Sequence, residues 1–266
     1  MEGRRAIVLM YHQIDPEGVS SGWVPNDLAD SRYGVPLSDF REQMALLRER
    51  KIPVAGLAEF LSGEGKNSPD APVSVIVTFD DGYASDFDRA APVMEELGIP
   101  ATFFLATGHL GKDGMLTESR ARDLGAFPLF SLGSHGVTHR FLSHLPFEEC
   151  EREVLDSFER LDGLSPKRTF SLSAPGGRTS DRVATAVRRT GFRSLCTSRP
   201  GFFRQGGDPY SIPRLPVMRG WSAEDFLMLL DPDSSAFQRN RWIRSSKNLV
   251  RALLEFPRTG TGRGVL

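Results

Sequence analysis

Two adjacent aspartates and two histidines four positions apart are the residues of this chain whose types and spacing could do chemistry. Asp80 and Asp81 end the β-branched run at 74–80, and adjacent carboxylates repel each other unless a cation or another partner lies beside them. His135 and His139 have the i, i+4 spacing that places two imidazoles on one side of a helical turn and suits a divalent metal ion. Asp81 with both histidines would leave coordination positions open for water and substrate, which is typical of a catalytic site. Taken alone, Asp-Asp-Gly is also ordinary turn chemistry.

The elements that must position these residues follow from alternating short apolar runs and amphipathic segments. The predicted strands cover 6–11, 74–80, 101–107, 128–133, 168–173, 192–197 and 211–217. The predicted helices cover 38–50, 57–62, 84–97, 117–125, 146–161, 180–190 and 222–230. Buried strands that alternate with helices predict a parallel sheet, and seven or eight of them suit an α/β barrel. In such a barrel the catalytic groups lie at the carboxyl ends of the strands.

Three motifs in this order and spacing resemble the polysaccharide deacetylase family of the NodB-homology type, a group of carbohydrate esterases. They are TFDDGY at 78–83, SHGVTH at 134–139 and SAPGG at 173–177, and the resemblance covers about residues 6–230. It implies a distorted (β/α)7–8 barrel and one divalent metal ion, with zinc favoured over nickel, cobalt, iron or manganese. It also implies hydrolysis of an acetyl group, above all an N-acetyl group, on a sugar.

The resemblance assigns roles residue by residue. Asp81, His135 and His139 match the metal ligands. Asp80 matches the general base, which takes the proton of the attacking water. The backbone N–H of Tyr83 matches the donor that stabilises the oxyanion.

Two departures from the common family pattern concern the general acid and an arginine. No histidine follows His144, so the usual C-terminal acid is absent. Met-Tyr-His at 10–12 resembles a permuted subgroup of biofilm-polysaccharide deacetylases, which assigns the acid to His12. The arginine that usually precedes the proline of the third motif is also missing, and we expect Arg214, or after it Arg178, to reach Asp80 instead.

Further residues are candidates for substrate contact. The polar insert at 15–34 carries Trp23 and Tyr33 and follows His12, so it is either a lid over a sugar or a mobile loop. Other candidates for substrate contact are Pro175, Gly176 and His109, although a loop histidine is more often simply solvated.

The overall composition limits the number of domains, the classes of partner and the cellular location that we expect. The chain has 266 residues, 39% of them hydrophobic, and a net charge of −1, so one barrel over 1–235 is expected and nucleic acid is not. The basic segment 236–266 is predicted to be a helix packed on the barrel or partly disordered, or alternatively a contact with anionic lipid or a partner. Without a visible leader or membrane-length run, we expect a cytoplasmic protein, membrane-associated at most.

Function thus has three readings at this point. The first is an active deacetylase for an acetylated sugar, oligosaccharide or glycolipid. The second is a catalytically inactive carbohydrate-binding barrel, and the third is a metal-dependent hydrolase of a non-sugar amide. Binding alone needs none of the acid and base residues, which favours the first.

Overall fold

The computed structural model describes residues 4–16, 31–63, 73–167 and 171–231. The strands are β1 Arg5–Tyr11, β2 Ile14–Asp15, β3 Val35–Pro36, β4 Val73–Phe79, β5 Ala101–Leu105, β6 Phe130–Ser134, β7 Ser171–Ser173, β8 Ser194–Cys196, β9 Phe203–Arg204 and β10 Leu215–Pro216. The helices are α1 Leu37–Glu49, α2 Leu57–Ser62, α3 Ala91–Glu96, α4 Glu118–Ala126, α5 Phe147–Asp162, α6 Asp181–Arg189 and α7 Ala223–Leu230.

A parallel sheet in the order β10-β1-β4-β5-β6-β7-β8 forms the centre of the protein. Its two edges are joined by the segment 212–216: Ile212 bridges Cys196 at the end of β8, and Leu215 pairs with Leu9 of β1. The first residues of β1 pair instead with the antiparallel β9. The sheet therefore curls into a distorted (β/α) barrel, as the sequence predicts.

Successive residues of a strand face opposite sides of this curled sheet, and both sides are buried. Leu9 and Val77 pack with the helices in the outer layer, whereas Val8, Ile76 and Cys196 pack together on the other face. Two buried faces explain why the strands read as continuous apolar runs without alternation. The same alternation places Asp80 on the face of Ile76, inside the curl of the sheet.

Two predicted elements differ from the structure for reasons that involve proline. The predicted strand 211–217 is reduced to a single bridge and the two residues of β10, because Pro213 and Pro216 cannot donate to a sheet ladder. The predicted helix 84–97 contains a π-helical turn over Asp86–Ala90 before α3, and Pro92 in the first turn of α3 removes the N–H that a regular α-helical bond would need.

The part of the chain that the structure describes contains no helix long and apolar enough to cross a membrane. The segment 236–266 and Trp23 lie outside the described residues, so the predicted domain boundary at 235 stays a prediction.

Candidate active site

The site lies where β1, β4 and β6 end at the same edge of the sheet, with β5 between β4 and β6. Tyr11 and Phe79 are register partners at the ends of β1 and β4, so His12 and Asp80 leave the sheet next to each other. Leu105 of β5 pairs with Ser134 of β6, which brings the segment beginning at His135 to the same edge. Parallel pairing thus gathers residues that are far apart in the chain.

Asp81, His135 and His139 meet at one point. The Asp81 Oδ1 atom lies 3.4 Å from the Nε2 atom of His135 and 3.1 Å from that of His139, and all three ligand atoms lie within 4.8 Å of one another. Asp81 and His135 are buried, and His139 is half-buried. The predicted trio of ligands is therefore assembled in the structure.

The helical turn expected between the two histidines is wrong. Residues 135–139 form an irregular loop, with positive φ angles at Gly136 (75°) and His139 (61°). These two left-handed residues turn the chain, so both imidazoles face Asp81 although the segment between them is not helical. A non-glycine residue with positive φ is uncommon and costs free energy, and such residues concentrate at functional sites.

The donor set fits a divalent metal ion. In tetrahedral coordination by zinc at about 2.0–2.1 Å, neighbouring ligand atoms are roughly 3.3–3.4 Å apart, close to the separations of Asp81 Oδ1 from the two imidazoles. The Nδ1 atom of His135 lies 2.8 Å from the carbonyl oxygen of Ser173; since a carbonyl only accepts, Nδ1 carries the hydrogen and Nε2 presents its lone pair. The buried Asp81 Oδ1 has no hydrogen bond of ordinary geometry from any described donor, although both imidazoles lie near it. These residues could hold a metal ion.

The charge states agree with this fit. Burial would raise the pKa of Asp81, but the facing imidazoles of His135 and His139 lower that pKa well below its ordinary value. Burial would likewise lower the pKa of His135, but Asp80 and Asp81 raise it instead. A divalent cation coordinated by this ionised carboxylate and the two imidazoles could take the place of the protons that otherwise lie between them.

Asp80 is fixed by a buried ion pair with Arg214. The Nη1 and Nη2 atoms of Arg214 donate to Oδ1 and Oδ2 of Asp80 at 2.7 Å each, and both side chains are buried. Ser173 donates to Asp80 Oδ2 at 3.1 Å and accepts from Arg214 Nη2 at 2.6 Å. Further bonds tie Arg214 to the Thr78 hydroxyl and the Thr197 carbonyl oxygen. Arg214 therefore contacts Asp80 in the structure, and its role as a replacement for the missing motif arginine stays a prediction.

This pair decides the protonation of Asp80. Burial alone would raise the pKa of the Asp80 carboxyl, but Arg214 and then His135 outweigh it, and the pKa is lowered. Asp80 is thus a charged carboxylate that still faces the site, since its Oδ2 lies 3.8 Å from His135 Nε2.

Arg178, the other arginine considered for this position, has different contacts. Its Nη1 lies 3.1 Å from Nε2 of the exposed His144, and its guanidinium lies 4.7 Å from the centre of the Phe141 ring. Of the two arginines, Arg214 is therefore the one that contacts Asp80.

The backbone N–H of Tyr83 takes no part in the hydrogen bonds of the bridge that Tyr83 forms. Tyr83 is an antiparallel bridge partner of Met115, but the hydrogen bonds of this bridge run from Ala84 N to the Gly114 carbonyl and from Leu116 N to the Gly82 carbonyl, at 2.9 Å each. They lie on either side of Tyr83. This N–H follows Asp81, a candidate metal ligand, by two positions, and its role as the oxyanion donor stays a prediction.

His12 stands at the end of β1 beside Tyr33, with ring centroids 4.7 Å apart. Its Nδ1 atom is buried and has no hydrogen-bond partner among the described residues. Burial lowers the pKa of His12, opposed in part by the charges of Asp81 and Asp80. The imidazole is therefore close enough to both aspartates for their charges to raise its pKa.

The remaining candidates for substrate contact are spread around the site. His109 is buried, and its ring centroid lies 6.2 Å from that of His139. Pro175 is buried and Gly176 exposed in the turn after β7. Tyr33 borders His12, which places one aromatic residue of the predicted lid segment at the site.

Sequence reasoning assigned no role to Ser173, Asp86 or Glu153. Ser173 links Asp80 to Arg214, as described above. Asp86 is fully buried in the π-helical turn, and its carboxylate oxygens have no hydrogen bond of ordinary geometry from any described residue, although the nearby backbone N–H of Tyr83 lowers its pKa. Glu153 binds the loop between the two metal-facing histidines. The only sequence signal was that these polar residues occupy positions inside otherwise apolar patterns.

Comparisons with known proteins agree with this geometry. The profile of the polysaccharide deacetylase family matches residues 67–195, a range that includes Asp80, Asp81, His135 and His139 but not His12 or Arg214. The Bacillus subtilis (strain 168) protein YxkH, named for the polysaccharide deacetylases, is 28% identical over 219 residues, which is 82% of this chain and 74% of that protein.

Two further comparisons extend over most of the chain. A poly-β-1,6-N-acetyl-D-glucosamine N-deacetylase of Staphylococcus epidermidis is 25% identical over 233 residues, 81% of this chain and 80% of that protein. The solved structure of the Streptococcus pyogenes deacetylase PplD superimposes with a TM-score of 0.74 at 22% identity, over 86% of this chain and 100% of that one, and so supports the fold. The chain is thus similar over most of its length to proteins named as polysaccharide deacetylases, and residues 67–195 match the model of that family.

Proposed function

We propose that this protein is a metal-dependent hydrolase that removes an acetyl group, in the first place an N-acetyl group, from a sugar of a polysaccharide, oligosaccharide or glycolipid. The single observation that carries the proposal is the joint placement of the Asp81, His135 and His139 ligand atoms within 4.8 Å of one another, with the charged carboxylate of Asp80 beside them. A polysaccharide is the favoured substrate class because the curated relatives are named for it.

A divalent ion held by Asp81, His135 and His139, of which zinc is our first choice, would polarise the acetyl carbonyl and make water more acidic. The residues of the chain divide the remaining work. Asp80 takes the proton of the attacking water, and Arg214 and Ser173 keep its carboxylate oriented toward that water. The Tyr83 N–H donates to the carbonyl oxygen as negative charge develops there, a contribution of about 3–4 kcal/mol per donor in comparable sites.

His12 supplies the proton for the leaving amine. Its lowered pKa keeps the imidazole only weakly basic at neutral pH, so it gives up a proton readily once the nitrogen it faces becomes basic. The nearby charges of Asp81 and Asp80 favour the protonated form and oppose the effect of burial. The acid and the base thus have different environments: Asp80 is held in an ion pair, whereas the buried Nδ1 of His12 has no hydrogen-bond partner among the described residues.

Acetate release tests the proposal. The purified protein is stripped with a chelator, reloaded with one metal at a time and incubated with N-acetylated and O-acetylated oligosaccharides of graded length. We expect acetate only from the reloaded protein, with zinc among the active metals. Metal binding without acetate from any sugar, but with cleavage of simple amides, would favour the non-sugar hydrolase. Sugar binding without metal uptake would favour the inactive carbohydrate-binding barrel.

The place of action and any membrane contact are separate proposals. We expect cytoplasmic protein, and we suggest that the basic segment 236–266 binds anionic lipid or a partner. Sedimentation with anionic vesicles, of the full chain and of a chain ending at residue 235, tests this. Equal sedimentation of both would remove the proposed lipid contact.

A further inference from the structure

Helix α5 contacts the loop that carries the two metal-facing histidines through two polar residues on its buried side. Glu153 and Ser157 are one helical turn apart, and both are buried. The amphipathic pattern of α5 would place apolar residues there. The hydrogen bonds that these two residues make to the loop 134–139 explain why polar residues stand at these buried positions.

Glu153 accepts three hydrogen bonds from consecutive residues of this loop. Its Oε2 atom accepts from the backbone N–H groups of Val137 at 2.9 Å and Thr138 at 3.0 Å. Its Oε1 atom accepts from the Thr138 hydroxyl at 2.6 Å. Burial would raise the pKa of Glu153, but these bonds from Thr138 and Val137 lower it. The side chain is therefore a charged acceptor for the middle of the loop.

Ser157 holds the beginning of the same loop through Ser134. The Ser157 hydroxyl donates to the Val154 carbonyl at 2.8 Å, so its hydrogen is already used. The 2.7 Å contact between the Ser157 and Ser134 hydroxyls must then have Ser134 as donor. Ser134 Oγ in turn accepts the N–H of Gly136 at 3.0 Å. This short chain fixes the residues on both sides of His135.

The loop needs such support because its conformation is unfavourable on its own. Gly136 and His139 both have positive φ, and His139 pays a steric cost for it. A Cβ atom on Gly136 would lie 3.4 Å from Glu153 Oε2, so the carboxylate also packs against the turn at Gly136. Without these bonds the loop would have lower-energy alternatives in which the two imidazoles separate.

We propose that Glu153, assisted by Ser157, is a positioning residue that sets the two imidazoles of His135 and His139 for metal binding before the ion arrives. Among the described residues that could hold an ion, Glu153 is not in the group that faces it, so it acts only through the loop. The inference rests on the metal site of the proposed function. Residues that orient ligands in this way typically change metal affinity by about 10–100-fold when lost.

Metal affinity of the purified full chain, measured for Zn²⁺ by competition with a chromophoric chelator, tests this. Glu153→Ala should weaken Zn²⁺ binding by roughly 10–100-fold. Glu153→Gln should retain most of the affinity, because its amide oxygen can still accept both N–H groups while its NH₂ group donates to the Thr138 hydroxyl. Glu159→Gln is the matched control, an exposed position on the same helix, and should bind Zn²⁺ like the unmodified protein.

A second variant keeps the test valid if Glu153→Ala does not fold. Thr138→Val removes one donor to Glu153 from an exposed position and should weaken Zn²⁺ binding less than Glu153→Ala does. Thermal unfolding of the metal-free proteins separates positioning from plain stability. Unchanged Zn²⁺ affinity in Thr138→Val and in any folded Glu153→Ala would overturn the inference. Failure of the unmodified protein to bind Zn²⁺ would instead overturn the proposed metal site, and with it the premise.

Discussion

The guanidinium of Arg214 donates to both carboxylate oxygens of Asp80 at 2.7 Å, across 134 positions of sequence. Asp80 ends one strand early in the chain, and Arg214 enters from the segment that joins the two edges of the sheet. Closure of the barrel and orientation of the proposed base therefore depend on the same segment, 212–216. A polar group deep inside the curl is compensated because its partner is built into the closing segment.

Replacing Arg214 should change both stability and pH dependence. Arg214→Met leaves a buried carboxylate without its cation, which typically costs about 3–5 kcal/mol. Burial is the largest influence on the pKa of Asp80, so without Arg214 that pKa should rise and the acidic limb of kcat/KM should move to higher pH. Arg214→Lys should recover part of this shift, and Arg178→Met should cause little. An acidic limb that stays in place in Arg214→Met would mean that another group is the base.

Much of the fold could be predicted because its signals are local. The run at 74–80 predicted β4 within one residue of Val73–Phe79, and 57–62 coincides with α2. Buried β-branched runs between amphipathic segments have few interpretations other than strands that alternate with helices. The carboxyl ends of parallel strands then gather Asp80, Asp81 and His135 without further information.

The loop conformation could not be predicted because it depends on distant residues. The four-residue spacing of His135 and His139 suggested a helical turn, but Gly136 and His139 take positive φ, and Glu153 stabilises that course from a later helix. Spacing alone describes ligands on one regular element. Here tertiary hydrogen bonds replace that element, and only three-dimensional contacts reveal them.

The two adjacent aspartates should separate by function. Asp80→Asn should bind Zn²⁺ within a few-fold of the unmodified protein but lose turnover by about 10²–10⁴-fold, because an amide cannot accept the proton. Asp81→Asn should instead weaken Zn²⁺ binding, since a neutral amide is a poorer ligand. Chelator competition and acetate release on the same preparations measure both. Equal Zn²⁺ affinity with full activity in both variants would contradict the catalytic assignment.

His12 should govern the basic side of the pH profile. As a proton donor it must be protonated in the reacting complex, so activity should fall as pH rises through its pKa. His12→Gln should lower kcat by about 10²–10⁴-fold and remove this basic limb. His144→Gln, an exposed residue that contacts Arg178, should leave the profile unchanged. A basic limb that persists unaltered in His12→Gln would assign the acid to another group, with His109 the next to test.

Asp86 should make the stability of the protein depend on pH in an unusual direction. Its carboxylate oxygens are buried without a hydrogen bond of ordinary geometry from any described residue. Burial, followed by the charges of Asp81 and Asp80, raises its pKa well above the ordinary value, and the backbone N–H of Tyr83 opposes this only in part. A raised pKa in the folded state means that the contribution of Asp86 to stability is fully present below its unfolded-state pKa. That contribution is lost as pH rises toward the folded-state pKa.

Asp86→Asn mimics the protonated side chain at every pH and should remove this loss. In urea unfolding of chelator-treated protein, the variant and the unmodified chain should have similar free energies of unfolding near pH 4. The variant should then become the more stable of the two as pH rises, by up to about 1.4 kcal/mol for each unit by which the pKa of Asp86 exceeds its unfolded value. Asp88→Asn is the control, because Asp88 is exposed and paired with Arg120 at 3.0 Å. If Asp86→Asn is instead less stable at pH 8 than the unmodified chain, Asp86 must be an ionised group with a compensating partner.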